Sequence, residues 1–215
     1  MKYLKNISFY ILIIASFNNV YSQKFDYGVK FGLPISNIDY SNLVDTHIMP
    51  DKPYIWMHEF KPKVGFNLSL TGGYSISSKI HIGIEPGYII KGAKFDQSSQ
   101  KLDLHYFNLP LLVKYEIFNQ ARVYLGAEFS KLIKAELGST NLDDFYNEKM
   151  ESSILIGAEY IITKNILLGL RMNNGLTKVS ETKWMDEAGT VYGTVKENNY
   201  YTLLYTIYTF KKNSN

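Results

Sequence analysis

The stretch Tyr106-Phe-Asn-Leu-Pro-Leu-Leu-Val-Lys-Tyr-Glu-Ile117 decides the fold. Read at a period of two, it sets Phe107, Leu109, Leu111, Val113, Tyr115 and Ile117 against Tyr106, Asn108, Leu112, Lys114 and Glu116. That period belongs to a β-strand, whose successive side chains point to opposite faces. One face stays apolar along the whole stretch, which is long enough for a tilted strand to cross a bilayer in roughly 9–11 residues.

Working outward, the same alternation recurs. Before this strand come Phe25, Tyr27, Val29, Phe31 and Leu33 opposite Lys30, then Val64, Phe66, Leu68, Leu70 and Tyr74 opposite Lys63. Ile80, Ile82, Ile84, Tyr88 and Ile90 follow, opposite His81, Glu85 and Lys91. After it come Val123, Leu125, Ala127 and Phe129 opposite Arg122 and Glu128, then Ile154, Ile156, Ala158, Tyr160 and Ile162 opposite Ser153 and Glu159. Ile166, Leu168, Leu170 and Met172 stand opposite Arg171. The last segment, 199–210, alternates Tyr, Leu and Ile with Thr and leaves its outward face open. Short turns at 75–78, 119–120 and 163–165 alternate with long polar links at 34–60, 92–101, 134–151 and 175–198. The expected fold is all-β: an eight-stranded antiparallel up-and-down transmembrane β-barrel with short periplasmic turns and long external loops.

Cost decides which face meets lipid. The apolar faces of the first seven segments carry no Lys, Arg, Asp or Glu, and a midplane Lys or Arg facing lipid costs roughly 2–4 kcal/mol. The opposite faces carry Lys30, Lys63, Lys114, Arg122 and Arg171 with Glu85, Glu116, Glu128 and Glu159. Five bases and four acids are close to balance, so they are expected to pair as a structural charge network inside a narrow lumen. A soluble lipocalin-like barrel would reverse the faces, and would account neither for the loop asymmetry nor for the long apolar strands. Pro86 and Pro110 lack a ladder donor, so each is expected at a bulge or an unpaired position, roughly facing the other.

Composition removes other classes. The 215 residues contain no Cys, which excludes disulfides, zinc ribbons and thiol chemistry, and a net charge of +3 leaves no nucleic-acid footprint. A mean hydropathy of −0.15 is too low for a helical membrane bundle. Residues 1–22 read as a secretory signal: Lys2 and Lys5, an apolar run over 7–17, then Val20-Tyr-Ser22 before a cut at Gln23. Residues 23–215 form the barrel domain, and the expected location is the cell outer membrane.

The segment Leu104–Tyr115 resembles the hallmark strand of the PorT-like outer-membrane β-barrel proteins of Bacteroidota. Ile84-Glu-Pro-Gly-Tyr88 with Lys91-Gly92 is similar to the family's preceding strand, and Tyr27-Gly-Val-Lys-Phe-Gly32 to its opening one. The resemblance implies a compact barrel of the kind labelled porin-like, in a family where PorT itself belongs to the type IX secretion apparatus. The final strand, Tyr200–Phe210, resembles the aromatic-ended strand read by barrel-assembly machinery, although Lys211–Asn215 follow it.

Chemistry is sparse. His47, His58, His81 and His105 show no metal-binding spacing, so neither metal nor other cofactor is expected. His58-Glu59 beside Trp56, or His105 near Asp103, are the residues on which a lipid-modifying enzyme would rest. Eight strands enclose room for side chains only. The expected protein is therefore non-enzymatic, with a filled lumen and external loops that present an interaction surface through Trp56, Asp144, Tyr146 and Trp184. Its expected partners are outer-membrane lipid, the assembly machinery and an envelope protein. A small pore, a secretion accessory and a lipid-modifying enzyme are the alternatives.

Overall fold

A computed structural model describes residues 25–44, 60–95, 100–144, 146, 149–178, 180–185 and 191–210. The expected leader, Trp56 and the tail after Phe210 lie outside these residues. Twelve strands are described: β1 (Phe25–Val44), β2 (Phe60–Val64), β3 (Phe66–Ser75), β4 (Ile80–Ile84), β5 (Gly87–Phe95), β6 (Lys101–Phe118), β7 (Ala121–Leu137), β8 (Thr140–Asn141), β9 (Met150–Ile161), β10 (Ile166–Gly175), β11 (Ser180–Met185) and β12 (Val191–Thr209). Every pairing between them is antiparallel, and the sheet closes on itself. β1 pairs β3 from Phe25↔Tyr74 to Gly32↔Asn67, and on its other edge pairs β12 from Gly28↔Thr209 to Val44↔Gly193.

Eight uninterrupted strands were expected, and two breaks account for much of the difference. Gly65 separates β2 from β3, donating its N–H to the Pro34 carbonyl at 2.7 Å. A Cβ there would sit 1.9 Å from the Ile90 carbonyl oxygen. Glu85 and Pro86 separate β4 from β5; Glu85 N–H donates to the Pro110 carbonyl at 3.0 Å, so the two prolines meet at one gap in the ladder. The remaining extra strands, β8 and β11, lengthen hairpins against β7 and β12.

The turns at 76–79, 119–120 and 162–165 are tight and share one end of the ring, the turn end. The links at the opposite, loop end are shorter than expected, because β1 has 20 residues, β6 18, β7 17 and β12 19. Pairing needs only backbone groups, so the ladder continues where the apolar alternation has stopped.

Beyond that point the polarity of the wall inverts. In the turn-end half the outward side chains are Phe25, Tyr27, Phe31, Leu68, Leu70, Ile82, Leu111, Val113, Leu125, Ile156, Leu170, Leu204 and their neighbours, all exposed. Lys30, Glu85, Glu159 and Arg171 are buried inside. In the loop-end half the buried interior is Ile38, Ile89, Ala93, Leu102, Leu104, Leu132 and Ala135, while Lys94, Lys101 and Lys134 are exposed outside. The lower half is greasy outside and ionic inside, and the upper half carries lysines outside and mostly aliphatic side chains inside, with Lys91 and Glu151 buried among them as an ion pair. The face of the last strand, open in the sequence, is also settled: Tyr201, Leu203, Tyr205 and Ile207 point inward, and Tyr200, Leu204 and Tyr208 outward.

Candidate functional site

The strand register brings five of the nine expected lumen charges together. Lys30 from β1 pairs with Glu85 at the break between β4 and β5. Arg171 from β10 reaches the same Glu85 Oε2 at 2.6 Å. Lys114 from β6 lies 3.6 Å from Glu85 Oε1 and 2.7 Å from Glu159 Oε1 on β9. Tyr205 donates to Glu159 at 3.2 Å and shares a 2.7 Å hydrogen bond with Tyr124, whose oxygen accepts from Arg171 Nε at 3.1 Å. Lys30 Nζ also sits 5.3 Å from the Tyr205 ring centre and Arg171 5.3 Å from that of Tyr124. Each tyrosine lies over its register partner on the neighbouring strand, Gly157 for Tyr124 and Gly169 for Tyr205, where that strand has no side chain. A Cβ on Gly157 would meet the Tyr124 oxygen at 2.3 Å, and one on Gly169 would meet Tyr205 at 2.1 Å.

The other four charges stand apart. Glu116 and Arg122, opposite each other in the β6–β7 register, pair at 3.3 Å near the turn end. Glu128 has neutral donors: Asn108 at 3.1 Å, Ser130 at 3.1 Å and Tyr201 at 2.8 Å. Lys63 pairs with Asp103 at the loop end, away from the cluster.

One buried pair joins Lys91, which the sequence alternation sets on the inner face, to Glu151, which it leaves in a link. Lys91 Nζ and Glu151 Oε1 lie 2.6 Å apart, with Asn199 donating to Glu151 Oε2 at 3.0 Å and Tyr106 under the ammonium at 4.3 Å. Glu151 had been assigned to a link; carrying the alternation of Ser153 and Glu159 one step further back places it inside.

A small cavity of about 80 Å³ opens below the cluster at the turn end, lined by Asp26, His81, Glu85, Lys114, Arg122 and Glu159 among others. Above the cluster come the rings of Tyr201 and Tyr106, the buried Lys91–Glu151 pair and the aliphatic side chains of the upper interior. The arrangement holds the cluster charges in pairs, and Glu85, Lys114 and Glu159 also line the turn-end cavity.

Of the expected loop surface, Asp144 is exposed, whereas Tyr146 is buried against the core, a correction to its expected outward placement. A loop aromatic resting on an apolar upper interior removes its ring from water. Trp184 belongs to β11, with its side chain outside the described residues. Among the described residues, His105 has Tyr88 and Glu136 as its hydrogen-bond and ion-pair partners. Its Nδ1 meets the Tyr88 hydroxyl and its Nε2 lies 3.2 Å from Glu136, on the outer wall.

Two solved structures are similar to the chain. The attachment invasion locus protein Ail of Yersinia pestis is 16% identical over 87% of this chain and 100% of its own, with a TM-score of 0.43. OprG from Pseudomonas aeruginosa is 13% identical over 89% of this chain and 99% of its own, with a TM-score of 0.48. At such identities the likeness is one of fold. No curated protein matches the chain. The family model described as the outer membrane protein beta-barrel domain matches residues 18–181. With a closed antiparallel ring, a lipid-compatible belt and that match, the chain belongs to the outer membrane protein β-barrel family.

Proposed function

We propose that the chain is an occluded, non-enzymatic barrel of the outer membrane whose loop end presents an interaction surface outside the cell. In this reading the ring has eight passes, since β2 with β3 and β4 with β5 are single passes bent at Gly65 and at Glu85–Pro86. Cleavage after Ser22 leaves the N-terminus and the short turns in the periplasm. Outer-membrane lipid surrounds the belt, the assembly machinery reads the aromatic end of β12, and an envelope protein meets the loops. Membership of the PorT-like branch belongs to the same proposal, carried by the motif at Leu104–Tyr115.

The observation that carries the reading is the filled interior: Lys30, Glu85 and Arg171 are at most 1% exposed, and Ile89, Leu104 and Tyr106 seal the level above. Closely packed side chains without a water-wide path do not conduct. The mature protein reconstituted in planar bilayers is expected to show no discrete current steps. Regular steps, scaling with protein and absent from boiled samples, would establish a pore instead.

A further inference from the structure

We propose that the outer wall of the loop-end half, over β5, β6 and β7, binds the phosphate groups of outer-leaflet lipid headgroups. The inference rests on the outward orientation of the loop end argued above. Lys94 on β5 and Lys101 on β6 are directly opposite in register, so two ammonium groups share one row. Like charges placed directly opposite weaken a sheet, so a row of them calls for an anion from outside. Lys131 on β7 forms a lower tier, opposite Phe107 of the belt.

The acids in this patch are already engaged. Asp103 pairs with Lys63, while Glu136 holds Lys134 at 2.7 Å and lies beside His105. Among the described residues no carboxylate reaches Lys94, Lys101 or Lys131 within ion-pair distance, and all three are exposed.

Depth selects the occupant. Ile90 is the last apolar outward residue on β5, and Lys94 follows four positions later, roughly 13 Å along a strand rising about 3.3 Å per residue. With the usual tilt that height spans the headgroup layer, which adds roughly 5–8 Å to each side of the hydrocarbon core. Lysine suits phosphate as a mobile point charge. Among the described outward positions at this height, Asp39 on β1 and Asn174 on β10 are not basic.

The test uses the folded mature chain in neutral phosphatidylcholine bilayers doped with bis-phosphorylated lipid A or with its dephosphorylated form, reading retained lipid by native mass spectrometry. The native protein should retain the phosphorylated form, and Lys94→Gln/Lys101→Gln/Lys131→Gln should retain at least about tenfold less. The corresponding triple Arg variant should keep the retention. Equal retention of the two lipid A forms by the native protein overturns the proposal, even if the Gln variant fails to fold. Equal retention by native and Gln proteins overturns it as well, as does displacement of the lipid by millimolar inorganic phosphate. The chain has no Cys, so Ser139→Cys labelled in intact cells by an impermeant maleimide checks the orientation separately. Labelling without a lipid preference sinks this inference alone, whereas absence of labelling removes the orientation on which it stands.

Discussion

Arg171 is fully buried and gives Glu85 a 2.6 Å bond while its Nε donates to Tyr124. Removing one member of a buried ion group strands its partners, at a cost of roughly 3–5 kcal/mol. Arg171→Met should therefore lower unfolding stability in urea by about that much. Glu85→Gln strands Lys30 as well as Arg171, so the double variant should lose more than Arg171→Met alone but less than the sum of the two single losses. If the double variant is as unstable as the summed single ones, Glu85 and Arg171 are not coupled as the geometry states. Glu85 and Arg171 were both legible in the sequence, because the lipid rule forces ionic side chains off the outer face. Their partners Tyr124 and Tyr205 were legible unequally. Tyr124 alternates with Val123 and Leu125, but Tyr205 lies in a strand with tyrosine and leucine on both faces. An aromatic ring can satisfy lipid on one side and a charge on the other, so alternation alone does not orient it.

Among the elements, β7 and its hairpin with β8 show why the loop end was harder to read. Beyond Phe129 the strand carries Lys131 and Lys134 outside and Leu132 and Ala135 inside, the reverse of the pattern that defined its membrane half. A register shift opposite His105 and Tyr106 makes the reversal harder to follow, since Ile133 and Lys134 are both exposed. The sequence signal was tuned to one polarity, so the extension looked like a polar link. The hairpin's end is fastened by Asp143, which accepts from Ala135 N–H at 2.7 Å and from the Asn141 side chain at 3.1 Å. The Ala135 N–H, with the Asn141 amide second, holds this carboxyl below the ordinary aspartate value. A lowered value in the folded state means that the contribution is present above the unfolded value of about 3.9 and is lost as pH falls through the folded one. Amide exchange at Ala135, corrected for its intrinsic rate, should thus stay protected from neutrality down to about pH 4 and rise below it. Asp143→Asn should exchange faster at neutral pH and lose that pH dependence. Unchanged protection in the variant would mean that the ladder alone holds the corner.

At the scale of the whole molecule, the proposed occlusion rests on two storeys of different chemistry. The lower storey holds the ionic cluster and the rings of Tyr124 and Tyr205, and the upper one holds aliphatic residues such as Leu104 and Leu132 around the Lys91–Glu151 pair. All of these project from the wall, so the occlusion depends on side-chain volume within a narrow ring. Two seals in series give a sharp expectation for bilayer currents. Tyr124→Ala/Tyr205→Ala should remain silent because the apolar storey still excludes water, and Leu104→Ala/Leu132→Ala should remain silent because the ionic cluster still fills the bore. Combining the four substitutions should produce discrete steps in those molecules that keep the folded band on unheated gels. Conduction by the tyrosine variant alone would show that the upper storey is no barrier, and the sidedness inversion would then concern only the outer rim. Conduction by the leucine variant alone would make the charge cluster a permeable polar path, returning the protein to the channel class that its filled interior argues against.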